Sequence, residues 1–243
     1  MSELLPITFP SKPEDFVNGA LLLIDKPLNW TSFDCVNKIR GTLKAKLKMK
    51  KLKVGHAGTL DPLASGLLLI CTGKWTKKID SLQGMPKQYT GSLKLGATTP
   101  SYDAETDEDK QFSIADISDE QLHAATKSFV GQIEQVPPMY SALKKDGVAL
   151  YKLAREGQII ERKARTVTID TFDLTSIELP QIHFLVDCSK GTYIRSLAHD
   201  FGHSLNNGAY LSSLVRTKIG DYSVEDANSM EQVLEKIAAV FPS

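Results

Sequence analysis

Apolar residues in this chain recur in two patterns, one typical of strands and one typical of helices. Short unbroken apolar runs occur in "ALLLID" (20–25) and "GLLLICTG" (66–73), and runs of this length predict buried β-strands. Three further segments are also typical of strands: "KQYTGSLKLG" (87–96), "RTVTIDTFDL" (165–174) and "IHFLVDCS" (182–189).

Helices are predicted where apolar residues return every three or four positions, in most cases behind a capping residue. Capping pairs predict three helix starts, at Thr31 with Asp34, Ser118 with Gln121, and Ser229 with Gln232. The second of these helices is expected to end at Gly131. Apolar residues at helical spacing predict a further amphipathic helix over 194–205.

Strands and helices are mixed without the regular βαβ alternation of a doubly wound fold. The pattern therefore predicts an α+β (mixed α/β) fold with a partly antiparallel sheet. Because no linker or shift of composition divides the chain, a single domain over residues 1–243 is predicted. Residues 132–160, which contain "VPPMYSALKKDG", are rich in loop-forming residues and are predicted to form an arm inserted in this domain.

Composition is ordinary for a soluble globular protein, with 42% hydrophobic and 24% charged residues. Lysine and arginine total 29, as do aspartate and glutamate, so net charge points to no polyanionic partner. The three distant cysteines predict no disulfide framework, which suits a reducing cytosol. The N-terminus has no basic region typical of a signal peptide, and no apolar run is long enough to span a bilayer. A cytoplasmic protein is expected.

Three segments resemble known phosphate-binding or metal-binding motifs but lack residues that those motifs require. "GLLLICTGKW" has the wrong glycine spacing for a phosphate-binding loop, and Trp75 stands where a magnesium-binding hydroxyl belongs. "DAETDEDK" (103–110) lacks the glycine and closing glutamate of a calcium loop, so an exposed acidic turn is expected. His199 and His203 lack the glutamate and third ligand of a zinc site and are read as surface or packing residues. No metal site and no cofactor are predicted.

The segment "KAKLKMKKLK" (44–53) carries six lysines, which alternate at first with apolar residues. In a strand or extended arm, this alternation places lysines on one face and apolar side chains on the other. A solvated hairpin or helix end is the alternative. The segment leads directly to a glycine-flanked aspartate, where positive charge is able to steer a phosphate backbone.

That aspartate, Asp61, lies in "GHAGTLDPLASG" (55–66). Pro62 disfavours helical backbone angles at Asp61, Leu60 and Leu63 are expected to pack beneath the loop, and the glycines permit another backbone to approach closely. Spacing alone leaves two interpretations open, a turn before a strand and a catalytic carboxylate.

Several long blocks occur in a fixed order: "GALLLIDKPLNWTSFDCVNKIR", "GHAGTLDPLASGLLLICTG", "KQYTGSLKLGATTPSYDAETD", "VPPMYSALKKDG" and "CSKGTYIRSLAHDFG". Together they resemble the TruB family of tRNA pseudouridine synthases over residues 19–220. The resemblance implies a pseudouridine synthase fold with a mixed, largely antiparallel central sheet flanked by helices. It also implies an isomerase that flips uridine 55 out of the tRNA T loop and converts it to pseudouridine.

The same resemblance implies three catalytic residues. Asp61 matches the family's essential aspartate, acting either as a nucleophile toward the sugar or as a base at C2′. Arg195, in "GTYIR", matches the arginine that pairs with this aspartate and keeps it ionised. Tyr89, in "KQYTG", matches the tyrosine that stacks on the flipped base, and its phenol is a candidate for assisting proton loss at C5.

Further residues are implied in binding the substrate. His56 matches the histidine that fills the gap left by the flipped base, and Tyr193 matches a further tyrosine of the pocket. Three residues in matching blocks are predicted to contact RNA backbone or bases: Lys26, Lys190 and Asp103.

The resemblance implies tRNA, bound through its T arm, as the partner, and no cofactor, since the isomerisation uses no redox change or group donor. A monomer without an obligatory protein partner or membrane association is expected. Many bacterial members continue into an RNA-binding PUA domain, and none is expected here. Two alternatives stay open: a guide-dependent relative acting on another RNA, and a non-catalytic RNA-folding module.

Overall fold

The computed structural model describes residues 9–241, and its strands follow the apolar runs of the sequence. The strands are β1 (Leu21–Lys26), β2 (Val54–His56), β3 (Ala64–Thr72), β4 (Lys87–Leu95), β5 (Ala97–Thr98), β6 (Lys110–Gln111), β7 (Gly131–Gln135), β8 (Lys144–Lys145), β9 (Val148–Ala149), β10 (Arg165–Glu178), β11 (Gln181–Cys188), β12 (Ala209–Ile219), β13 (Tyr222–Ser223) and β14 (Asn228–Ser229). The helices are α1 (Pro13–Asn18), α2 (Ser32–Lys46), α3 (Ile79–Gly84), α4 (Asp119–Lys127), α5 (Leu150–Arg155), α6 (Ile194–Ser204) and α7 (Met230–Val240). Two 3₁₀ helices span Gly73–Lys78 and Val224–Asp226.

The chain divides into two compact units, of which the first runs up to Tyr89 and resumes at Val215, and the second is Thr90–Leu214. Strands β4 and β12 contribute residues to both. Residues 132–160 lie in the second unit, where they carry β8, β9 and α5. The single domain and the inserted arm stay predictions.

The first unit is built on a sheet with the strand order β14-β1-β3-β12, in which β2 pairs with β3 and β13 with β12. The β1–β3, β2–β3 and β12–β13 pairs are antiparallel, and β1–β14 is parallel. Both faces of this sheet are buried, which explains the unbroken apolar runs. Leu22 and Ile24 lie in a cluster with residues of α2 and α7, whereas Leu21 and Leu23 lie in a second cluster with Ile219.

The second unit has the strand order β12-β4-β11-β10-β7, with antiparallel β10–β11 and β10–β7 pairs. Phe172 of β10 forms edge-to-face contacts with three aromatic rings, those of Phe129, Phe184 and Phe201. These contacts join α6, through Phe201, and the segment just after α4, through Phe129, to the sheet of this unit. The predicted mixed fold with a largely antiparallel sheet is confirmed.

The predicted helix starts are confirmed, and one predicted end is wrong. Thr31 accepts a hydrogen bond from Asp34 N at 3.0 Å, and the Asp34 carboxylate accepts one from Thr31 N at 2.8 Å. The helix behind Ser118 ends at Lys127 rather than at Gly131. Its last turn tightens there, with Ser128 N donating to Ala125 O at 3.1 Å, and Gly131 instead begins β7.

Of the two interpretations left open for residues 44–53, the helix end is confirmed at Lys44 and Lys46, and no strand forms over this segment. Helix α2 continues to Lys46, where basic residues in the last turn complement the helix dipole, and Lys48 then adopts a left-handed φ of 51°. The alternation in exposure holds from Lys46 onward, because Leu47 and Leu52 pack against the cluster that contains Ile24 while the lysines beside them stay exposed. It fails at the start of the segment, where Ala45 is exposed and Lys44 is partly buried.

Within residues 9–241, none of the helices is long and apolar enough to cross a membrane. Over the same range the three cysteines are buried and form no disulfide. Burial raises the pKa of Cys35 to about 11 and that of Cys71 to about 12, so both are thiols at neutral pH. The prediction that the N-terminus is not a signal peptide concerns residues 1–8 in part. These residues lie outside the described residues.

Candidate active site

Asp61 lies in the loop between β2 and β3 of the first unit, and its backbone is held on both sides. Ala64 N donates to Asp61 O at 3.1 Å, and Asn29 N donates to the carbonyl of Pro62 at 2.8 Å. Leu60 is buried beneath the loop as predicted, whereas Asp61 itself is partly exposed. These two bonds fix the chain at and just after Asp61.

Ser32, the first residue of α2, binds the loop one residue before Asp61. Its hydroxyl accepts a hydrogen bond from Leu60 N at 2.8 Å and donates one to Leu60 O at 3.1 Å. Since Ser32 is 2% exposed, water does not compete with these bonds. The start of α2 is therefore coupled to the position of Asp61.

Arg216 of β12 holds the same loop from another side. Its guanidinium donates to the carbonyls of Gly58 at 3.1 Å, Thr59 at 3.3 Å and Leu67 at 2.8 Å. Only 1% of Arg216 is exposed, and its strand approaches β3 at Gly66, where a Cβ would lie 2.4 Å from Arg216 O. The glycine at 66 thus admits a strand of this protein.

Lys26, predicted to contact RNA, is fully buried at the end of β1. Its ammonium donates to the carbonyls of Pro27 at 2.9 Å and Trp30 at 2.6 Å. Burial is the main cause that lowers the pKa of Lys26, and the nearby Asp61 carboxylate opposes this shift. In this structure Lys26 orders the segment that leads to Ser32, and an RNA contact by its side chain stays a prediction.

His56 ends β2, opposite Ile70 of β3, and is partly buried. Burial is the main cause that lowers the pKa of His56, and the Arg216 guanidinium lowers it further. The imidazole is therefore neutral at neutral pH. Within the described part of the chain, its Nδ1 is buried and has no hydrogen-bond partner. Insertion of this ring among nucleobases, the role that the resemblance implies, stays a prediction.

Tyr89 lies in β4 and is the last residue of the first unit before the chain enters the second unit. It is 8% exposed. The alternating burial of β4 places Lys87 and Tyr89 at inward positions. Its stacking on a flipped uracil stays a prediction.

In the second unit, Arg195 and Asp103 form a buried ion pair. Arg195 lies in the first turn of α6, and its Nε is 3.5 Å from Asp103 Oδ2, with the two residues 4% and 5% exposed. Arg195 Nη1 also donates to Tyr140 O at 2.8 Å, and Asp103 Oδ1 accepts from Glu105 N at 3.0 Å. Arg195 is thus rigidly held. Its pairing with Asp61 stays a prediction.

The exposed acidic turn predicted over 103–110 is correct for most of its residues but wrong for the first. Asp103 is buried because it pairs with Arg195 and forms a bridge with Leu211 of β12. Its predicted contact with RNA stays a prediction, and its observed role is to hold Arg195.

Tyr193 is the N-cap residue of α6, and its backbone is held by Gln135. Tyr193 N donates to Gln135 Oε1 at 2.8 Å, and its carbonyl accepts from Gln135 Nε2 at 3.1 Å. The tyrosine is partly exposed, and Lys190, three residues earlier, is exposed in a turn. Gln135 therefore fixes the start of the helix that carries Arg195.

A cavity of about 820 Å³ opens in the second unit beside α6. Its wall includes Tyr102 and His199, whose rings stack at 3.8 Å, so His199 is a packing residue as expected. Burial lowers the pKa of His199, with His203 a smaller cause. His199 Nδ1 and Arg162 Nε have no hydrogen-bond partner among residues 9–241, and both residues line the cavity. Within that range, no three His, Cys, Asp or Glu side chains lie together as a metal site would require.

Sequence reasoning missed Arg216, Ser32 and Gln135, which hold the loops rather than face the substrate. For Arg216 a signal was present, because an arginine stands two residues after Leu214 at an inward position of an alternating strand. Ser32 and Gln135 carry no such signal, since their partners are backbone groups 28 and 58 residues away.

Comparison with known proteins decides the family. A model of the N-terminal domain of TruB family pseudouridylate synthases matches residues 44–194, which is more than half of the chain. This chain belongs to the TruB family of pseudouridylate synthases. Asp61 and Tyr89 lie inside the matched range, whereas Lys26 and Arg195 lie outside it.

Curated relatives of this TruB-family chain agree. A protein of Flavobacterium johnsoniae is 57% identical over 216 residues, which cover 88% of this chain and 94% of the relative. One of Phocaeicola vulgatus is 51% identical over 221 residues, covering 91% and 94%. Both are named tRNA pseudouridine synthase B.

Solved structures share the fold. A protein in the crystal structure of a Cbf5-Nop10-Gar1 complex matches with a TM-score of 0.67 and 27% identity, over 93% of this chain and 58% of that one. An H/ACA RNP structure with a substrate RNA containing 2′-deoxyuridine matches with a TM-score of 0.65 and 25% identity, over 94% and 59%. The TruB-family chain thus spans less than two thirds of these matched chains. The predicted pseudouridine synthase fold is confirmed.

Proposed function

We propose that this protein is a tRNA pseudouridine synthase that isomerises uridine 55 in the T loop. Two relatives whose sequences are matched by this chain over 94% of their length share the name tRNA pseudouridine synthase B. This name supports the substrate and the reaction. The observation in the structure that supports it best is Asp61, a partly exposed carboxylate on a loop whose backbone is held by Arg216, Ser32 and Asn29.

The reaction balances without a co-reactant. The N1–C1′ bond breaks, the uracil rotates, and C5 forms a new bond to C1′. C5 then loses its proton and N1 gains one, so the product is an isomer of the substrate. The base must first leave its stack, at a cost of a few kcal/mol.

Asp61 is the group that starts this sequence, by attack on C1′ or by removal of the C2′ proton. Either role needs an ionised carboxylate in a fixed place, because misplacement by about 1 Å costs about a hundredfold in rate. The family resemblance pairs this carboxylate with Arg195, which Asp103 positions through the ion pair of 3.5 Å. Tyr89 stacks on the flipped uracil, and neutral His56 fills its place in the RNA.

The protein acts as a monomer without an obligatory protein or guide RNA. The relatives named tRNA pseudouridine synthase B support this mode over that of the Cbf5 complex, since they are roughly twice as similar in sequence. A cytoplasmic location follows from a tRNA substrate and is supported by three buried cysteines without a disulfide among residues 9–241. Light scattering of the purified protein and cell fractionation test these two statements.

Release of tritium from C5 of uridine-labelled tRNA transcript tests the reaction. Purified protein alone is expected to release one tritium per tRNA and to place pseudouridine at position 55, mapped by carbodiimide treatment and primer extension. Activity that requires an added RNA or protein would support the guide-dependent alternative. Binding without release would support an RNA-folding module.

A further inference from the structure

The proposed chemistry leaves one exposed aromatic ring of the first unit without a role. Phe33, the second residue of α2, is 57% exposed, and within residues 9–241 it is the only aromatic residue with more than half of its surface exposed. Burial of an aromatic ring is favourable, so a ring left in water is a candidate for contact with a ligand when it lies beside a functional loop.

Ser32, which precedes Phe33, ties the start of α2 to the catalytic loop. Its hydroxyl donates to Leu60 O at 3.1 Å and accepts from Leu60 N at 2.8 Å. Since these bonds join the residues that precede Phe33 and Asp61, the Cα atoms of Phe33 and Asp61 lie at most about 12 Å apart. An RNA loop whose uridine reaches Asp61 therefore brings its neighbouring nucleotides within reach of Phe33.

The Arg40 guanidinium supports one side of this ring. It lies over Phe33, 5.8 Å from the ring centroid, which is within the range of cation–π contacts. The guanidinium is itself held, because Nη2 donates to Val54 O at 2.8 Å and Nη1 donates to Asn37 Oδ1 at 3.2 Å. Phe33 is thus kept in place by Arg40, while more than half of its surface stays open to solvent. A ring that is ordered before binding loses little conformational entropy when a ligand stacks on it.

The charge next to Phe33 favours a base over a phosphate as the group that contacts it. Asp34 follows Phe33 and is exposed, and hydrogen bonds from Thr31 lower its pKa, so it is a carboxylate at neutral pH. A carboxylate repels phosphate, and Arg40 already donates to two oxygens of the protein. A nucleobase is uncharged and presents a π-face, so it is the part of an RNA that fits this position.

We propose that Phe33 stacks on an unpaired base of the RNA loop, a base other than the uridine that reaches Asp61. This inference rests on the proposed function for its partner, the T loop of a tRNA. When one base is flipped out, its neighbours lose a stacking partner. Stacking on Phe33 compensates part of that loss and accepts any base, because every base has a π-face. Phe33 thus stabilises the opened loop next to the reacting uridine.

A T-arm stem-loop RNA tests the inference, both intact and with one loop base at a time replaced by an abasic site. Binding is measured by fluorescence anisotropy at one salt concentration for the unaltered protein and for Phe33→Ala, Phe33→Leu and Phe33→Tyr. Val130→Ala is the control, because Val130 is also an exposed apolar residue, at 49%, and lies in the second unit. Thermal unfolding checks that each variant is folded.

Phe33→Ala is expected to weaken binding of the intact RNA about fivefold to about a hundredfold, the range for one stacked base. Phe33→Leu is expected to lose most of the same affinity because leucine has no π-face, whereas Phe33→Tyr and Val130→Ala are expected to bind normally. On the RNA that lacks the stacked base, Phe33→Ala is expected to bind as the unaltered protein does, since the interaction is then absent from both complexes.

Normal affinity of Phe33→Leu would overturn the inference. So would a loss in Phe33→Ala that persists on every abasic RNA, or one that disappears only when the uracil of uridine 55 is removed. Because binding is measured without any reaction, these comparisons decide the inference even if the unaltered protein makes no pseudouridine. Pseudouridine formed without any coupling between Phe33 and a loop base would overturn this inference and leave the proposed function intact.

Discussion

Replacing Arg216 by methionine tests whether the buried guanidinium positions Asp61. The arginine donates to three carbonyls on the two sides of the loop, at 2.8, 3.1 and 3.3 Å, and is 1% exposed. Methionine fills a similar volume but donates no hydrogen bond, so the carbonyls of Gly58, Thr59 and Leu67 lose this donor.

The cost follows from these hydrogen bonds. A buried polar group left without its partner costs about 1–3 kcal/mol, and three such groups sum to several kcal/mol. Removing a buried cation recovers part of this, because its desolvation penalty disappears. We therefore expect Arg216→Met to lower the free energy of unfolding by about 2–4 kcal/mol. We also expect the single-turnover rate to fall at least about a hundredfold, the effect of moving a catalytic group by about 1 Å.

The assay must separate misplacement of Asp61 from general loss of stability. Ile237→Ala is the matched control: Ile237 is fully buried in α7 of the same unit, away from the loop, and its truncation costs about 2–5 kcal/mol. Urea unfolding gives the stability of each variant. Single-turnover rates and dissociation constants for tRNA are then measured where all variants are folded.

Arg216→Met is expected to bind tRNA almost normally and react slowly, whereas Ile237→Ala keeps its rate. Arg216→Lys should recover little, because one ammonium cannot reach three carbonyls as a guanidinium fork does. The pKa of His56, followed by NMR, should rise in Arg216→Met, since the arginine charge lowers it. A normal rate in folded Arg216→Met, or an equal loss in both variants, would refute the reasoning.

Three further predictions concern the reacting groups and pH. Asp61→Asn is expected to fold and bind tRNA but form no pseudouridine, and turnover by the folded variant would show that another residue is catalytic. Tyr89→Phe should keep tRNA affinity and slow the release of tritium from C5, and an unchanged rate would exclude a role for the phenol. Burial raises the pKa of Asp200 to about 6, so stability falls as pH rises from 3.8 through about 6. Asp200→Asn should therefore raise Tm at neutral pH and have little effect below that window, and thermal unfolding across pH checks it.

Local pattern in the sequence determined the elements of this protein. Buried strands such as β1 and β3 are apolar on both faces, and a capping pair such as Thr31 with Asp34 satisfies backbone donors within a few residues. Such signals involve no residue that is distant in sequence, so they can be recognised from the sequence alone. The ordered blocks around Asp61 likewise sufficed to identify the family.

The tertiary structure alone decided how the loops are held. The bonds of Arg216 to Gly58 and Thr59 span 158 and 157 residues, and Asp103, predicted as part of an exposed turn, is buried by its pair with Arg195. The sequence of residues 44–53 is compatible with a strand and with a helix end. Only the packing of Leu47 and Leu52 on the core favoured the helix end. Contacts between residues far apart in sequence produce no periodic pattern around either residue. The sequence near each residue reflects only its own helix, strand or turn, and folding alone brings the two residues together.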